Sequence, residues 1–379
     1  MTPSQPLNFK LEKKIKQARV ASFELWSHGC EKKFTIKTPT FMPVGTCASV
    51  KALSSQDIKA TGAQIILGNT YHLFLRPGHE LIEKLGGLQK FMAWDGPMLT
   101  DSGGYQVFSL SKLNKITDEG VIFKSHLDGQ EIIFTPEKVM EIQRALGSQI
   151  VMAFDDCPPY PADDERIQKA LTRTHRWAER GLQVSLQKHQ VRFAIVQGGM
   201  SEIFRKQSVD ALTALPFDGY AIGGLSIGEP VEMLHKMTHW TAPFLPEEKP
   251  RYLMGVGRPE DLIEGVKAGI DLFDCVMPSR NARNGQAFTS LGKINIKNSQ
   301  YKEDLSRLDP NCHCETCQTY TKAYLRHLYS THELLSHRLL TLHNLTFYLS
   351  LMEQMRNALI ENQFDEWEKS FYTQFHVHR

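Results

Sequence analysis

Short apolar runs that stop at Gly, Pro, Asn or Asp recur eight times along the chain, with helical segments between most of them. This alternation limits the fold more than any other feature. The runs are TPTFMPVG (38–45), AQIILGNTY (63–71), PMLTDSGGY (97–105), SQIVMAFDD (148–156), RFAIVQGG (192–199), GYAIGGLSIG (219–228), RYLMGVG (251–257) and IDLFDCVMP (270–278). The intervening TPEKVMEIQRALG and DERIQKALTRTHRWAERGLQVSLQKH carry helical patterning. Eight strands alternating with helices predict an α/β fold in which a parallel sheet closes into a (β/α)8 TIM barrel. Nearly continuous apolar strands fit that expectation, because parallel strands are covered on both faces.

Polar residues gather at one end of these runs. Asn69, Asp101, Asp155, Asp156, Gln197 and Asp274 each fall at or near the C-terminal end of a strand, where barrel active sites are assembled from the βα loops. Loop polarity explains any one of them, but not so easily a set spread over several runs. In FDCVMPSRNARNG (273–285), Asp274 directly follows an apolar run and precedes Pro278, Arg280 and Arg283. From Arg280 to Lys302 the chain has five basic residues (Arg280, Arg283, Lys293, Lys297, Lys302) and no acid. Such a run is commonly a solvated face. Beside an acid at a barrel mouth it becomes a candidate track for phosphates. The net charge of +2 is too small to indicate a polyanionic partner by itself.

A segment FKSHLDGQEIIFTP (123–136) reads as a hairpin inserted before the next helix, with Asp128-Gly129 as its turn. After residue 290 the pattern changes. SLGKINIKN reads as a strand pair on the barrel, CHCETC follows at 312–317, and Thr319 to Phe375 is almost wholly helical in pattern. The expected division is therefore a barrel with N-terminal extension and inserted hairpin over 1–290, and a metal-binding part with helices packed on the barrel over 291–379. No run approaches the roughly 18 apolar residues of a membrane span, and the polar start lacks the apolar core of a secretory signal. A cytoplasmic location is expected.

Seven cysteines, an odd number, suit reduced thiols or metal ligands better than a disulfide framework. Cys312, Cys314 and Cys317 can present three thiolates to one ion, and zinc completes such a set with a fourth ligand in a closed, structural tetrahedron. His327, His332, His337 and His343 are candidates, whereas His313 is trapped between cysteines. Periodicity does not choose among the four. Cys157 and Cys275 flank the polar strand ends and are read as small packed side chains. No nucleotide-binding glycine loop is present in the sequence, so no consumed cofactor is expected.

TFMPVGT (40–46), ILGNTYHL (66–73), LTDSGGYQVFSL (99–110), FKSHLDG, MAFDDCPPYPA (152–162), GGLSIGE (223–229), YLMGVGRPED (252–261), FDCVMPSRNARNG and CHCETC together resemble the tRNA-guanine transglycosylases of queuosine synthesis, in the bacterial form. The resemblance spans nearly the whole chain from about residue 10. It implies a (β/α)8 barrel with a zinc-bearing insertion near the C-terminus and exchange of guanine at the wobble position of tRNAs with a GUN anticodon. It also implies a homodimer and one structural zinc per subunit, with His343 as the fourth ligand.

By the same resemblance, Asp274 is the nucleophile on ribose C1′ and Asp101 the general acid and base, a two-carboxylate arrangement like that of a retaining glycosidase. Asp155 would read the donor edge of a guanine, since a carboxylate accepts two adjacent N–H groups. Ser102, Gly103 and Gly104 belong to the same base-binding set. Gln197, Gly224 and Leu225 match the carbonyl side, and Tyr105 and Met254 match the groups that sandwich the ring. Gly255, Val256, Gly257, Arg258, Pro259, Glu260 and Asp261 match one RNA-contacting segment. Ser279, Arg280, Asn281, Ala282 and Arg283 match a second. Asp156 stands where Glu is common in the family, and Ser279 where Thr is frequent. Ile227 stands where the queuine-inserting eukaryotic subunit has glycine, which favours the smaller 7-aminomethyl-7-deazaguanine. A non-catalytic RNA-binding relative would lack the acids present here at 101, 155 and 274. An unrelated glycoside hydrolase does not explain the cysteine knot, and an archaeal-type exchanger would usually carry further RNA-binding domains.

Overall fold

The computed structural model describes residues 7–110 and 114–375. Its central sheet has nine parallel segments, with Thr40–Met42 at one end of the strand order and Val44–Gly45 at the other. These two are halves of one strand, interrupted at Pro43. Proline donates no backbone hydrogen bond, yet its carbonyl still accepts from Leu67 at 2.9 Å. The sheet therefore closes on itself as eight strands, the (β/α)8 barrel that the sequence predicts. The other strands are Ile66–Gly68, Met98–Thr100, Ile150–Met152, Val191–Val196, Gly219–Ile222, Arg251–Leu253 and Leu272–Asp274.

Alternation along the strands divides the core in two. Met42, Leu67, Leu99, Ile150, Phe193 and Leu272 fill the barrel interior, whereas Ile66, Met98, Ala194, Tyr220, Leu253 and Phe273 pack in the larger hydrophobic cluster. Phe23, Leu25 and Ile36 join the interior cluster from an antiparallel sheet of Leu7–Ile15, Ala18–Trp26 and Lys33–Thr38. This sheet packs against the barrel interior. At the start of the last strand, buried Asp271 accepts from Arg19 Nε at 3.2 Å, the Arg251 amide at 2.7 Å and Thr38 Oγ1 at 3.0 Å. A buried carboxylate so fully paired ties the N-terminal sheet to the barrel.

The predicted helices are present with one change of length. Thr135 caps Pro136–Leu146, and Gly147 ends it in the left-handed conformation. Asp163 caps Asp164–Leu182, but the helix stops there instead of running on to His189. His189 and Gln190 turn inward instead: His189 Nε2 lies 3.0 Å from the Gly147 carbonyl, and Gln190 Nε2 donates to Ser148 O at 2.8 Å. The inserted hairpin is Val121–Lys124 paired with Glu131–Phe134, with Gly129 at φ 77° in its loop and Asn114–Ile116 as a third strand.

The strand pair expected within SLGKINIKN is corrected. Gln286–Thr289 pairs with Gly292–Asn295, so QAFT supplies the first strand and the pair forms its own two-stranded sheet. The cause is a buried amide: Asn344 Oδ1 accepts from the Phe288 amide at 3.0 Å, which holds QAFT in extended form. The tail is helical as expected, in Lys322–Ser330, Leu334–Ile360 and Phe364–Phe375. Leu334–Ile360 bridges two cores. Its Leu339 and Leu340 pack with the cysteine loop, while Leu345, Tyr348, Met352 and Met355 join the main cluster.

Candidate active site and metal centre

The C-terminal ends of the strands surround a cavity of about 410 Å³ whose lining includes Asn69, Asp101, Asp155, Gln197 and Asp274. Asp156, the remaining polar strand-end residue, does not belong to it. Fully buried, Asp156 is held by Arg166 at 3.0 Å and by Arg173, which anchors Asp164–Leu182 beneath the loop. Adjacent acids in one run thus have separate tasks.

Asp101 sits one residue beyond its strand. Its Oδ1 accepts from the Thr70 amide at 2.8 Å and its Oδ2 from Asn69 Nδ2. Burial, helped by the nearby charge of Asp274, pushes its pKa up to about 6. Asp155 is also pushed up to about 6, mainly by burial, although Ser102 Oγ donates to it at 2.9 Å and Gln197 Nε2 at 2.7 Å. Asp274 is only half-buried. Its Oδ1 accepts from Tyr252 Oη at 2.5 Å and from the Gly255 amide at 2.8 Å, and its pKa is raised by burial. Among the described residues both hydrogen bonds fall on Oδ1, which leaves Oδ2 free toward the cavity.

Two glycines give the acids room. A Cβ on Gly104 would meet the Asp155 carbonyl at 2.9 Å, and one on Gly224 (φ 65°) would lie 2.3 Å from Gln197 Oε1. Tyr105, 52% exposed, and half-buried Met254 both line the cavity, as does buried Leu225. Cys157 and Cys275 also line it, but burial raises their thiols to about 12 and about 11, so neither is an activated nucleophile.

The two segments expected to meet RNA are unevenly exposed. Val256, Gly257, Pro259 and Asp261 are buried, and Gly255 is committed through its amide to Asp274; Arg258 and Glu260 are partly exposed. In Met277–Arg283, Ser279 and Ala282 are buried and Asn281 donates to Gln286 at 2.6 Å, while Arg280 and Arg283 are exposed. Arg280 also lines the cavity. Tyr252 stands out in no sequence pattern. The available signal is a phenol inside an apolar strand, and the structure aims it at Asp274.

In the C-terminal part, Cys312, Cys314, Cys317 and His343 are all buried, with their ligand atoms within 4.8 Å of one another. His343 Nε2 is 2.8 Å from the Phe288 carbonyl and must donate to it, so Nδ1, 3.3 Å from Cys317 Sγ, presents its lone pair to the thiols. Three sulfurs and one imidazole form a closed set able to bind a metal ion. His327 and His332 are exposed, and His337 also lies outside the cluster.

The family model described as Queuine tRNA-ribosyltransferase matches residues 14–377. A curated protein of that name from Thermoanaerobacter sp. (strain X514) is 54% identical over 341 residues, 90% of this chain and 91% of the relative. One from Desulforamulus reducens is 50% identical over 373 residues, 98% of this chain and 100% of the relative. Another, from Mannheimia succiniciproducens, is 52% identical over 368 residues and 97% of each chain. With the barrel, its acidic mouth and the Cys3His cluster in place, these matches make the chain a member of the queuine tRNA-ribosyltransferase family, pentosyltransferases that act on tRNA.

Proposed function

We propose that this chain exchanges guanine at the wobble position of GUN-anticodon tRNAs for 7-aminomethyl-7-deazaguanine in queuosine biosynthesis. The observation that supports it most is the pair of acids at one cavity: Asp274, with one oxygen restrained and one free, and Asp101, poised at about 6. Asp274 Oδ2 attacks ribose C1′ as the C1′–N bond breaks, and its electron pair leaves with guanine, which takes a proton from Asp101. The incoming base then gives its N–H proton back to Asp101 and displaces Asp274, so two inversions restore the configuration.

Ionised Asp155 accepts the two N–H groups of the guanine edge, and Ser102 keeps that carboxylate in place. Gln197, whose Nε2 donates to Asp155 while no base is bound, turns that amide to the carbonyl side of the base together with the Gly224 amide and Leu225, and Tyr105 and Met254 enclose the ring. Gly103 and Gly104 bring the backbone close to it. Of the two RNA segments, Arg280, Arg283 and Arg258 are the side chains exposed for phosphates and unstacked nucleotides. Zinc is the ion proposed for Cys312, Cys314, Cys317 and His343, since their donor set suits it, and its role is structural. A homodimer in the cytoplasm completes the reading, with the barrel in 1–290 and the metal-binding part in 291–379.

The direct test is incubation with radiolabelled guanine and unmodified GUN-anticodon tRNA, followed by denaturing gels of a reaction stalled with an inert base analogue. Label in the tRNA and a protein band shifted by RNA are expected; absence of both rejects the reading. The pH profile gives a second check. As pH falls through about 6, Asp101 loses its capacity as base and Asp155 its second acceptor charge. The acid limb of kcat/KM for the incoming base, whose binding and attack need both acids ionised, should therefore lie near pH 6 and be steeper than a single protonation. Base choice gives a third. Ile227 lines the cavity, and in the proposed reading its branched side chain fills the space that a C7 substituent larger than aminomethyl needs. Overpacking of about 1–3 kcal/mol corresponds to roughly 5- to 150-fold poorer use of queuine. Ile227→Gly should narrow that gap; equal turnover of both bases by the unaltered chain would refute it.

A further inference from the structure

One fully buried cation lies directly behind the wall of the cavity and takes no part in the proposed proton and glycosyl transfers. Arg205, on helix Glu202–Thr213, is 0% exposed, and among the described residues it has no ion pair within salt-bridge distance. Its Nε donates to the Gly199 carbonyl at 2.9 Å and its Nη2 to the Gly223 carbonyl at 3.1 Å, while Nη1 has no partner. The fork thus grips two βα loops at once, the one after Val191–Val196 and the one after Gly219–Ile222. The nearby acid Glu229 is engaged elsewhere, accepting from the amides of Ser226 and Ile227.

Burying a guanidinium without a carboxylate is costly, and tying two carbonyls together does not require a charge. Geometry shows what the charge faces. A Cβ placed on Gly224 would be 3.9 Å from Nη2 and 2.3 Å from Gln197 Oε1, so little more than backbone separates the guanidinium from the cavity. On the other side lies the proposed carbonyl edge of the base. When the C1′–N bond breaks, its electron pair enters the purine and spreads to that carbonyl oxygen.

Building on the proposed base exchange, we infer that Arg205 is a positioning residue for the departing base: it fixes the Gly223–Gly224 backbone and sets a positive potential behind it where negative charge develops. It acts through backbone groups and touches no reacting atom. Stabilisation of this kind is realised only as the bond breaks, so it appears in the rate of base release and not in tRNA affinity.

The test uses the full chain and tRNA labelled in the wobble guanine, with single-turnover release of guanine, tRNA affinity and thermal unfolding measured for Arg205→Gln and Arg205→Lys. Arg205→Gln should release guanine about tenfold more slowly, less than the roughly 100-fold cost of losing a direct oxyanion donor. Its tRNA affinity should stay within about twofold, and Arg205→Lys, which keeps the charge but not the fork over Gly199 and Gly223, should recover part of the rate. Release by Arg205→Gln at the unaltered rate, equal slowing in both variants, or failure of both to fold would overturn the inference. If the unaltered chain itself releases no guanine, the proposed function fails, a result separate from all of these.

Discussion

Asp274→Asn should reduce base exchange by about 10,000-fold or more, the scale on which a covalent catalyst loses its nucleophile, and should at the same time raise the thermal midpoint. The two effects have one cause. Asn keeps an Oδ1 that can accept from Tyr252 Oη and the Gly255 amide, so the cavity wall survives. What is lost is the free, negatively charged oxygen. Burial raises the pKa of Asp274 above its ordinary value, so ionising it is harder in the folded protein than in the unfolded chain. For an acid shifted upward, the folded state is favoured most at low pH, and that advantage disappears as pH rises through the folded pKa. At neutral pH the unaltered protein therefore bears a cost that Asn does not. The gap in midpoint should close as pH is lowered toward about 4, where the unfolded acid also takes up its proton. Retained incorporation of labelled guanine would remove Asp274 from the mechanism, and a gap independent of pH would refute the electrostatic argument.

The barrel and its acidic mouth were legible because parallel strands announce both their interior and their end. ILGN and LFD are apolar up to the polar residue at the strand end, which lines the cavity; in MLTD a buried Thr100, bonded to Gln143 and Ser148, comes before Asp101 does the same. What could not be read is direction within a loop. Asp155 and Asp156 are neighbours with the same chemistry, yet Ser102 and Gln197 draw one into the cavity while two arginines on a following helix draw the other away. Long-range partners decided the other differences too. QAFT is extended because Asn344 holds Phe288 from 56 residues away, and the helix ending at Leu182 yields to inward contacts of His189 and Gln190. Arg205 in EIFRKQSVDALT looks like any solvated helical arginine until the barrel surrounds it. The leading strand LNFKLEKKI does alternate, but that the N-terminal sheet packs against the barrel interior depends on tertiary contacts that Phe23, Leu25 and Ile36 make there.

Chelating the metal proposed for Cys312, Cys314, Cys317 and His343 should weaken tRNA binding more than guanine binding, because that cluster is linked to the basic helix and not to the proposed base pocket. Beside His343 on helix Leu334–Ile360, Asn344 donates to the carbonyls of Pro278 and Gln286, each at 3.0 Å, while its Oδ1 holds the Phe288 amide. Those hydrogen bonds clamp both ends of Met277–Arg283, the helix that carries Arg280 and Arg283. His343 itself is oriented by the Phe288 carbonyl. Without an ion, three thiols and an imidazole must share a buried space with no common partner, and the metal's contribution to folding of this part disappears. The clamp then loosens and the arginines no longer hold a fixed placement beyond Asp274. If Arg280 and Arg283 each release one phosphate of a single-stranded loop, the slope of log affinity against log salt should flatten by about 1.4, at roughly 0.7 per phosphate. Guanine affinity should change little, since Asp155, Ser102 and Gln197 are held by the barrel. Cys317→Ser should reproduce the chelated protein and hold no stoichiometric metal. A chelated, metal-free protein that binds tRNA with unaltered affinity and salt slope would break the proposed link between the cysteine cluster and the helix that carries Arg280 and Arg283.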